Sequence, residues 1–199
     1  MKNLFILLCF TLLSCATTNA APLQTIENLD IKRYTGGWHQ IAIIPNRFQK
    51  MCYANTTATY KILPPNRKGI SHIEVNNTCL ESDGEINTIF GKARVNPKKD
   101  STAKLEVSFA KIFGKTIWLA AGDYWVLDIG KNYDYVVIGE PKRKFGWVLA
   151  RKLQLSDSTL SNIRQLLTEQ GYNPCEFEMS RNIKINEEQM PTLCEYLDN

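Results

Sequence analysis

Histidine is scarce: His39 and His72 are the only two in 199 residues. No Cys-x-x-Cys occurs, so neither a zinc ribbon nor a c-type haem site is supported, and no metal or other cofactor is expected. No glycine-rich phosphate loop follows a strand-like run, and neither histidine lies near a Ser or Cys nucleophile motif. Charge of one sign is not in excess either. Lys and Arg number 24 against 20 Asp and Glu, a formal +4, which is too little to imply nucleic acid. The longest apolar run, residues 4–13, covers ten positions, too few to span a bilayer as a helix.

What is present begins with an export signal. Lys2 supplies a short positive segment before that apolar run, as a signal peptide requires. The run ends in Leu12-Leu13-Ser14-Cys15, which resembles a bacterial lipobox. On that reading residues 1–14 are removed and Cys15 is acylated, so that its lipid chains hold the protein on a membrane. Ala16 fits the outer-membrane sorting pattern. Simple secretion, with cleavage after Ala20, is the alternative. Residues 15–28 then form a tether, 29–180 a single domain and 181–199 a tail.

From residue 38 the chain is a series of short β-rich runs separated by Pro, Asn, Gly and Asp: 38–44, 53–63, 70–79, 85–95, 104–109, 124–129, 133–138 and 146–151. Eight runs at this spacing mean a meander, sandwich or barrel. One helix follows over 156–171, with Ser156 as N-cap, Leu160, Ile163, Leu166 and Leu167 on one face, and Gly171 at its end. It should pack outside the sheet. A short strand is expected over 176–180.

Four segments are more specific. Tyr34-Thr35-Gly36-Gly37-Trp38 before the first run resembles the Gly-x-Trp signature of the lipocalin family. Gly122-Asp123-Tyr124-Trp125-Val126-Leu127-Asp128 resembles the sixth strand of its bacterial and plant members. Tyr135-Val136-Val137-Ile138-Gly139-Glu140-Pro141 and Gly146-Trp147-Val148-Leu149-Ala150-Arg151 resemble strands seven and eight. The branch is that of bacterial outer-membrane lipocalins, plant temperature-induced lipocalins and apolipoprotein D. His39, Gly146 and the long tail depart from its pattern.

The resemblance implies an all-β fold: an eight-stranded antiparallel up-and-down barrel, with the helix outside. It implies closure of one end by Gly36 and Trp38, with Arg151 lying over the indole. It also implies that Tyr60, Tyr124 and Trp147 point into a ligand cup. Val126 and Leu149 share faces with Tyr124 and Trp147, because strand side chains alternate. Val107 and Phe109 share a face of their own strand, and parity alone leaves open whether it is the inner one. In such a barrel the odd-numbered connections share the open end. Arg47 and Lys50, Lys111 and Lys115, and Lys142, Arg143 and Lys144 would then ring the mouth, opposed by Glu81, Asp83 and Glu85. Ile112-Phe113 and Ile117-Trp118-Leu119 would lie there too, as a lid, as a bilayer contact, or as a buried strand end.

The function expected is non-enzymatic: binding or transport of a fatty acid or lysophospholipid at the periplasmic face of an outer membrane, by a monomer or weak dimer. A catalytic lipocalin using the Cys52 thiol, or a ligandless interaction protein, is the alternative. With Cys9 removed and Cys15 modified, Cys52, Cys79, Cys175 and Cys194 remain for disulfides. A hairpin centred between Pro65 and Asn66 would oppose Cys52 to Cys79 and leave Cys175 to Cys194. The competing pattern, by resemblance to apolipoprotein D, joins Cys52 to the tail.

Overall fold

Alternating inward and outward side chains form two hydrophobic cores, one inside a closed sheet and one between that sheet and a helix. The computed structural model describes residues 21–66, 71–99, 101–182 and 190–199. The leader, Cys15 and the tip of the turn near Gly69 lie outside them. The elements are α1 (Ile31–Tyr34), β1 (Gly36–Ile43), β2 (Ala54–Ile62), β3 (Ile73–Leu80), β4 (Ile86–Val95) and β5 (Lys104–Ser108). A small hairpin follows, β6 (Lys111–Ile112) and β7 (Lys115–Thr116). Then come β8 (Gly122–Ile129), β9 (Tyr135–Gly139), β10 (Gly146–Ala150), α2 (Asp157–Glu169), β11 (Glu178–Met179) and α3 (Leu193–Asp198).

The eight expected runs are all strands, and they pair antiparallel in the order β1-β2-β3-β4-β5-β8-β9-β10, with β10 closing on β1. The register carries one inward ring across the wall: Tyr60 opposes Val75, Val75 opposes Gly91, and Ala93 opposes Val107. Leu105 then opposes Tyr124, Val126 opposes Ile138, and Ile138 opposes Trp147. The intervening Trp125, Leu127, Val137 and Val148 face outward, and α2 covers them with Leu160, Ile163 and Leu167. Ser156 caps this helix by accepting from Thr159 N, and Gly171 ends it at φ +75°, where a side chain would be strained.

Two boundaries differ from expectation. The tether read over 15–28 is free of the barrel over at most part of its length, because residues 21–28 lie along the wall. Leu23 is buried beneath α2, and Ile26 N donates to Val126 O at 3.1 Å. The apolar Leu23 and Ile26 give this stretch something to bury. The tail read over 181–199 likewise packs on the domain, with Leu193 buried in the outer core and its amide donating to Phe177 O, and the short strand expected over 176–180 is β11. Beyond the His39–Thr57 pair, β2 swings away from β1 at a bulge between Ala54 and Thr57, and β11 takes its place. Ser180 N donates to Ile41 O, and Asn55 N to Arg181 O.

The disulfides are Cys52–Cys79 and Cys175–Cys194. The barrel-to-tail pattern is absent. The hairpin register nonetheless differs from the one expected: Ile62 opposes Ile73, which moves the turn's centre past Asn66. The bulge between Ala54 and Thr57, with Asn55 at φ +53°, and the turn in which Cys52 N donates to Gln49 O together leave Cys52 bonded to Cys79 despite that register.

Candidate functional site

The plugged end of the barrel is built on the indole of Trp38. Asp30 caps α1 through its side chain, and the chain turns at Gly36 (φ +95°), where a Cβ would sit 3.3 Å from Arg151 Nη1. The Arg151 guanidinium lies 3.7 Å from the centre of the Trp38 ring system. It donates to the carbonyls of Arg33, Thr35 and Gly37 at 2.8–2.9 Å. Trp38 Nε1 donates to Tyr34 O at 2.9 Å. One cation thus ties the chain entering the barrel to the last strand, by a stacked contact and charge-assisted hydrogen bonds together.

Above the plug, three phenols meet. Tyr124 is the hub, with its hydroxyl 2.5 Å from that of Tyr34 and 2.9 Å from that of Tyr60. Burial pushes the Tyr60 phenol up to about 12, and it raises Tyr34 and Tyr124 well above 10. Val126, Ile138, Leu105 and Leu149 fill the space around them. The lower half of the barrel is therefore packed. Tyr60, Val126 and Leu149 lie within that floor, each less than 7% exposed.

The upper half is open. Val107 and Trp147 line it and are only partly buried against the inner core. Phe109 is partly exposed, and its ring lies over Gly91, where a Cβ would come within 2.7 Å of it. Ile89 shares the inward face with Ala93 and is half exposed. Asn77, also inward, has a buried Oδ1 with no hydrogen-bond partner. The connection between β1 and β2 dips into this space through a 3-10 turn, Arg47–Gln49. There Gln49 accepts from Trp147 Nε1 at 3.2 Å and donates to Gln40 at 3.0 Å. A cavity of about 420 Å³ lies beside it, where β1 and β2 part. Gln40, Ile43, Arg47, Gln49, Lys50 and Thr56 line it together with residues of and after β11, among them Met179 and Ser180. Its size falls in the range of small-ligand pockets.

A chain of aromatic rings leads from the cup to the outer rim. Trp147 stacks on Phe145 at 6.1 Å, Phe145 meets Phe48 at 6.0 Å, and Arg47 covers Phe48 at 4.9 Å. Lys50, Lys142 and Lys144 are exposed nearby. The Glu140 carboxylate accepts from the amides of Lys142 and Lys144, which fixes the β9–β10 turn.

A family model described as a lipocalin-like domain matches residues 29–182. The chain belongs to the lipocalin family. It is 35% identical over 157 residues to temperature-induced lipocalin-1 of Arabidopsis thaliana, covering 78% of this chain and 81% of the relative. The outer membrane lipoprotein Blc of Citrobacter freundii is 29% identical over 165 residues, covering 82% and 85%. Mouse apolipoprotein D is 31% identical over 157 residues, covering 75% and 74%. The solved structure of insecticyanin from the tobacco hornworm Manduca sexta shares the fold, with a TM-score of 0.61 at 18% identity, over 85% of this chain and 88% of that one.

Set on this lipocalin, the expected mouth needs two corrections. Arg143 is not a free rim cation, because its guanidinium donates to Gln170 O at 2.7 Å and to Ala21 O at 2.6 Å. The β5–β8 connection does not cover the mouth. Strand β5 ends at Ser108, opposite Lys92, so the chain leaves the wall early. The β6–β7 hairpin then folds outward. Trp118 packs on the outer wall, stacked on His72 at 5.4 Å and covered by Arg94 at 4.0 Å. Lys111, Lys115 and Ile112 go with it, and Phe113 and Leu119 are each 99% exposed.

Sequence reasoning missed Tyr34, Gln40 and Gln49. Tyr34 stood in the quoted signature, four residues before Trp38. The two glutamines carried no signal, since their meeting depends on how the first connection folds inward.

Proposed function

We infer that this chain, like other lipocalins, binds a small hydrophobic ligand. We propose that this one holds a single-chain anionic lipid, a fatty acid or lysophospholipid, in the upper half of the barrel, at a membrane to which acylated Cys15 ties it. The observation that carries this reading is the two-layered opening. Val107, Phe109, Ile89 and Trp147 form an apolar layer, and Arg47 and Lys50 of the β1–β2 connection form a cationic layer above it, with Gln49 reaching down past Trp147 to Gln40 at the level of Leu149. An acyl chain suits the first layer and an anionic headgroup the second. The packed floor limits the depth of entry, so Tyr124 sits beneath the ligand, and Tyr60, Val126 and Leu149 support the wall. Membrane attachment is supported by the lipobox-like Leu12-Leu13-Ser14-Cys15 and by likeness to the outer membrane lipoprotein Blc. No helix among the described residues is long and apolar enough to cross a membrane.

The enzymatic reading rested on a free Cys52 thiol, and Cys52 is bonded to Cys79. Titration with a fatty acid and with its methyl ester tests the proposal. The acid is expected to bind at least about tenfold more tightly, and equal affinities would remove the electrostatic part. Native mass spectrometry of the extracted protein identifies the ligand, and a barrel recovered empty after mild extraction would count against binding.

A further inference from the structure

The described chain starts at the open end of the barrel. Ala21 O accepts from Arg143 in the β9–β10 turn, and Gln24 N donates to Gln170 at the last turn of α2. From there the chain runs down the wall through Leu23 and Ile26 to Asp30, whose amide meets Tyr133 at the plugged end. Six residue steps separate Ala21 from Cys15, a reach of at most about 22 Å. Eight-residue strands tilted as in a small barrel rise about 20 Å along the axis, and the loops at the plugged end extend beyond that. A lipid on Cys15 would therefore lie within reach of the mouth, with the loops of the plugged end at or beyond the limit of that reach.

The rim nearest this exit has the composition of a membrane-contact surface. The two connections beside it, residues 45–53 and 140–145, belong to neighbouring strands, since β10 pairs with β1. They present Phe48, 61% exposed, and Met51, 45% exposed, among Arg47, Lys50, Lys142 and Lys144. The acids of these turns do not cancel the cations: Glu140 is buried and bonded to its own turn. The acidic turn with Glu81, Asp83 and Glu85 joins β3 to β4, on the far side of the mouth from β9 and β10. Large apolar side chains among cations suit the interface of an anionic bilayer.

We propose that this half of the rim docks on the anionic surface of a phospholipid bilayer, so that the cup opens onto the membrane holding the anchor and the acidic side tilts away. The proposal rests on the reading that Cys15 is acylated. Its ligand would then enter from the lipid phase beside Phe48 and Phe145.

The test uses the full chain and its Cys15→Ser variant. On vesicles containing phosphatidylglycerol, the acylated protein should gain hydrogen-exchange protection over residues 45–51 and 140–146 and none over 131–134. The unacylated Cys15→Ser chain should bind the same vesicles weakly. Lys142→Gln with Lys144→Gln should weaken that binding about 25-fold, at about fivefold per lysine. Lys61→Gln with Lys131→Gln at the plugged end should leave it unchanged. Protection at the plugged end, or equal losses in the two pairs, would overturn the orientation while leaving the anchor intact. A wild-type chain that never enters the membrane fraction would overturn the anchoring reading and this proposal with it.

Discussion

The ring of Phe177 occupies the space above Gly146, where a Cβ would lie 2.5 Å from Phe177 Cζ and 3.3 Å from Ile44 Cδ1. Phe177 is fully buried, although it belongs to the segment beyond α2. The segment between α2 and β11 thus supplies a ring that fills the space a side chain at 146 would take. Gly146→Leu should destabilise by about 1–3 kcal/mol through overpacking. Phe177→Ala should cost about 3–5 kcal/mol. Urea unfolding of the double variant should show a loss smaller than the sum, and strict additivity would deny the contact.

Arg151 joins the plug to the last strand through a planar fork that an ammonium cannot reproduce. Arg151→Lys should cost at least about 2 kcal/mol. Thermal unfolding followed by near-ultraviolet circular dichroism reports it, and an unchanged midpoint would show that the stacked contact alone suffices.

Alkaline pH should unfold this lipocalin through its phenols. Burial raises Tyr60 to about 12 and holds Tyr34 and Tyr124 well above 10. An unfolded tyrosine ionises near 10, so the unfolded chain loses protons first. The stability held by the neutral cluster is whole below about pH 10 and is lost as pH rises through about 12. Tyr60 alone accounts for about 2–3 kcal/mol. The urea midpoint should stay level from about pH 7 to 9 and then fall, less steeply in Tyr124→Phe. A midpoint that holds to pH 12 would contradict this.

Within the barrel, affinity and stability should separate by height. Leu149 is buried in the floor and Trp147 stands in the open half. Leu149→Ala should cost about 2–5 kcal/mol of stability with little change in fatty-acid affinity. Trp147→Ala should weaken binding about tenfold or more. The reverse pattern in paired melting and binding curves would relocate the ligand.

The Cys52–Cys79 bond closes a loop with a sequence separation of 27. Removing both thiols as Cys52→Ala and Cys79→Ala should cost about 3–4 kcal/mol by the chain-entropy relation. The fold should survive, because the strands carrying the hairpin pair beyond the bond. Loss of the β-sheet signal by circular dichroism would show that the bond is required for closure.

The sequence by itself determined the period-two patterns, and with them eight strands and two faces. It also determined the capped helix, and the signature before the first strand carried the family resemblance that implied the Trp38–Arg151 plug. These are local or signature properties, fixed by alternation, capping and turn chemistry. The family resemblance placed Tyr60, Tyr124 and Trp147 inside, but not their height, because parity says which face a residue takes and nothing about what fills the space beside it. Only the tertiary structure decided that Tyr34 joins the phenols and that Gln49 enters the cup. The same holds for the β6–β7 hairpin, which turns outward because β5 ends early. It holds too for Phe177 over Gly146 and Ala21 beside Arg143, contacts between segments distant in the chain. Such contacts depend on where the barrel's closure brings two segments together, and no spacing within either segment records that position.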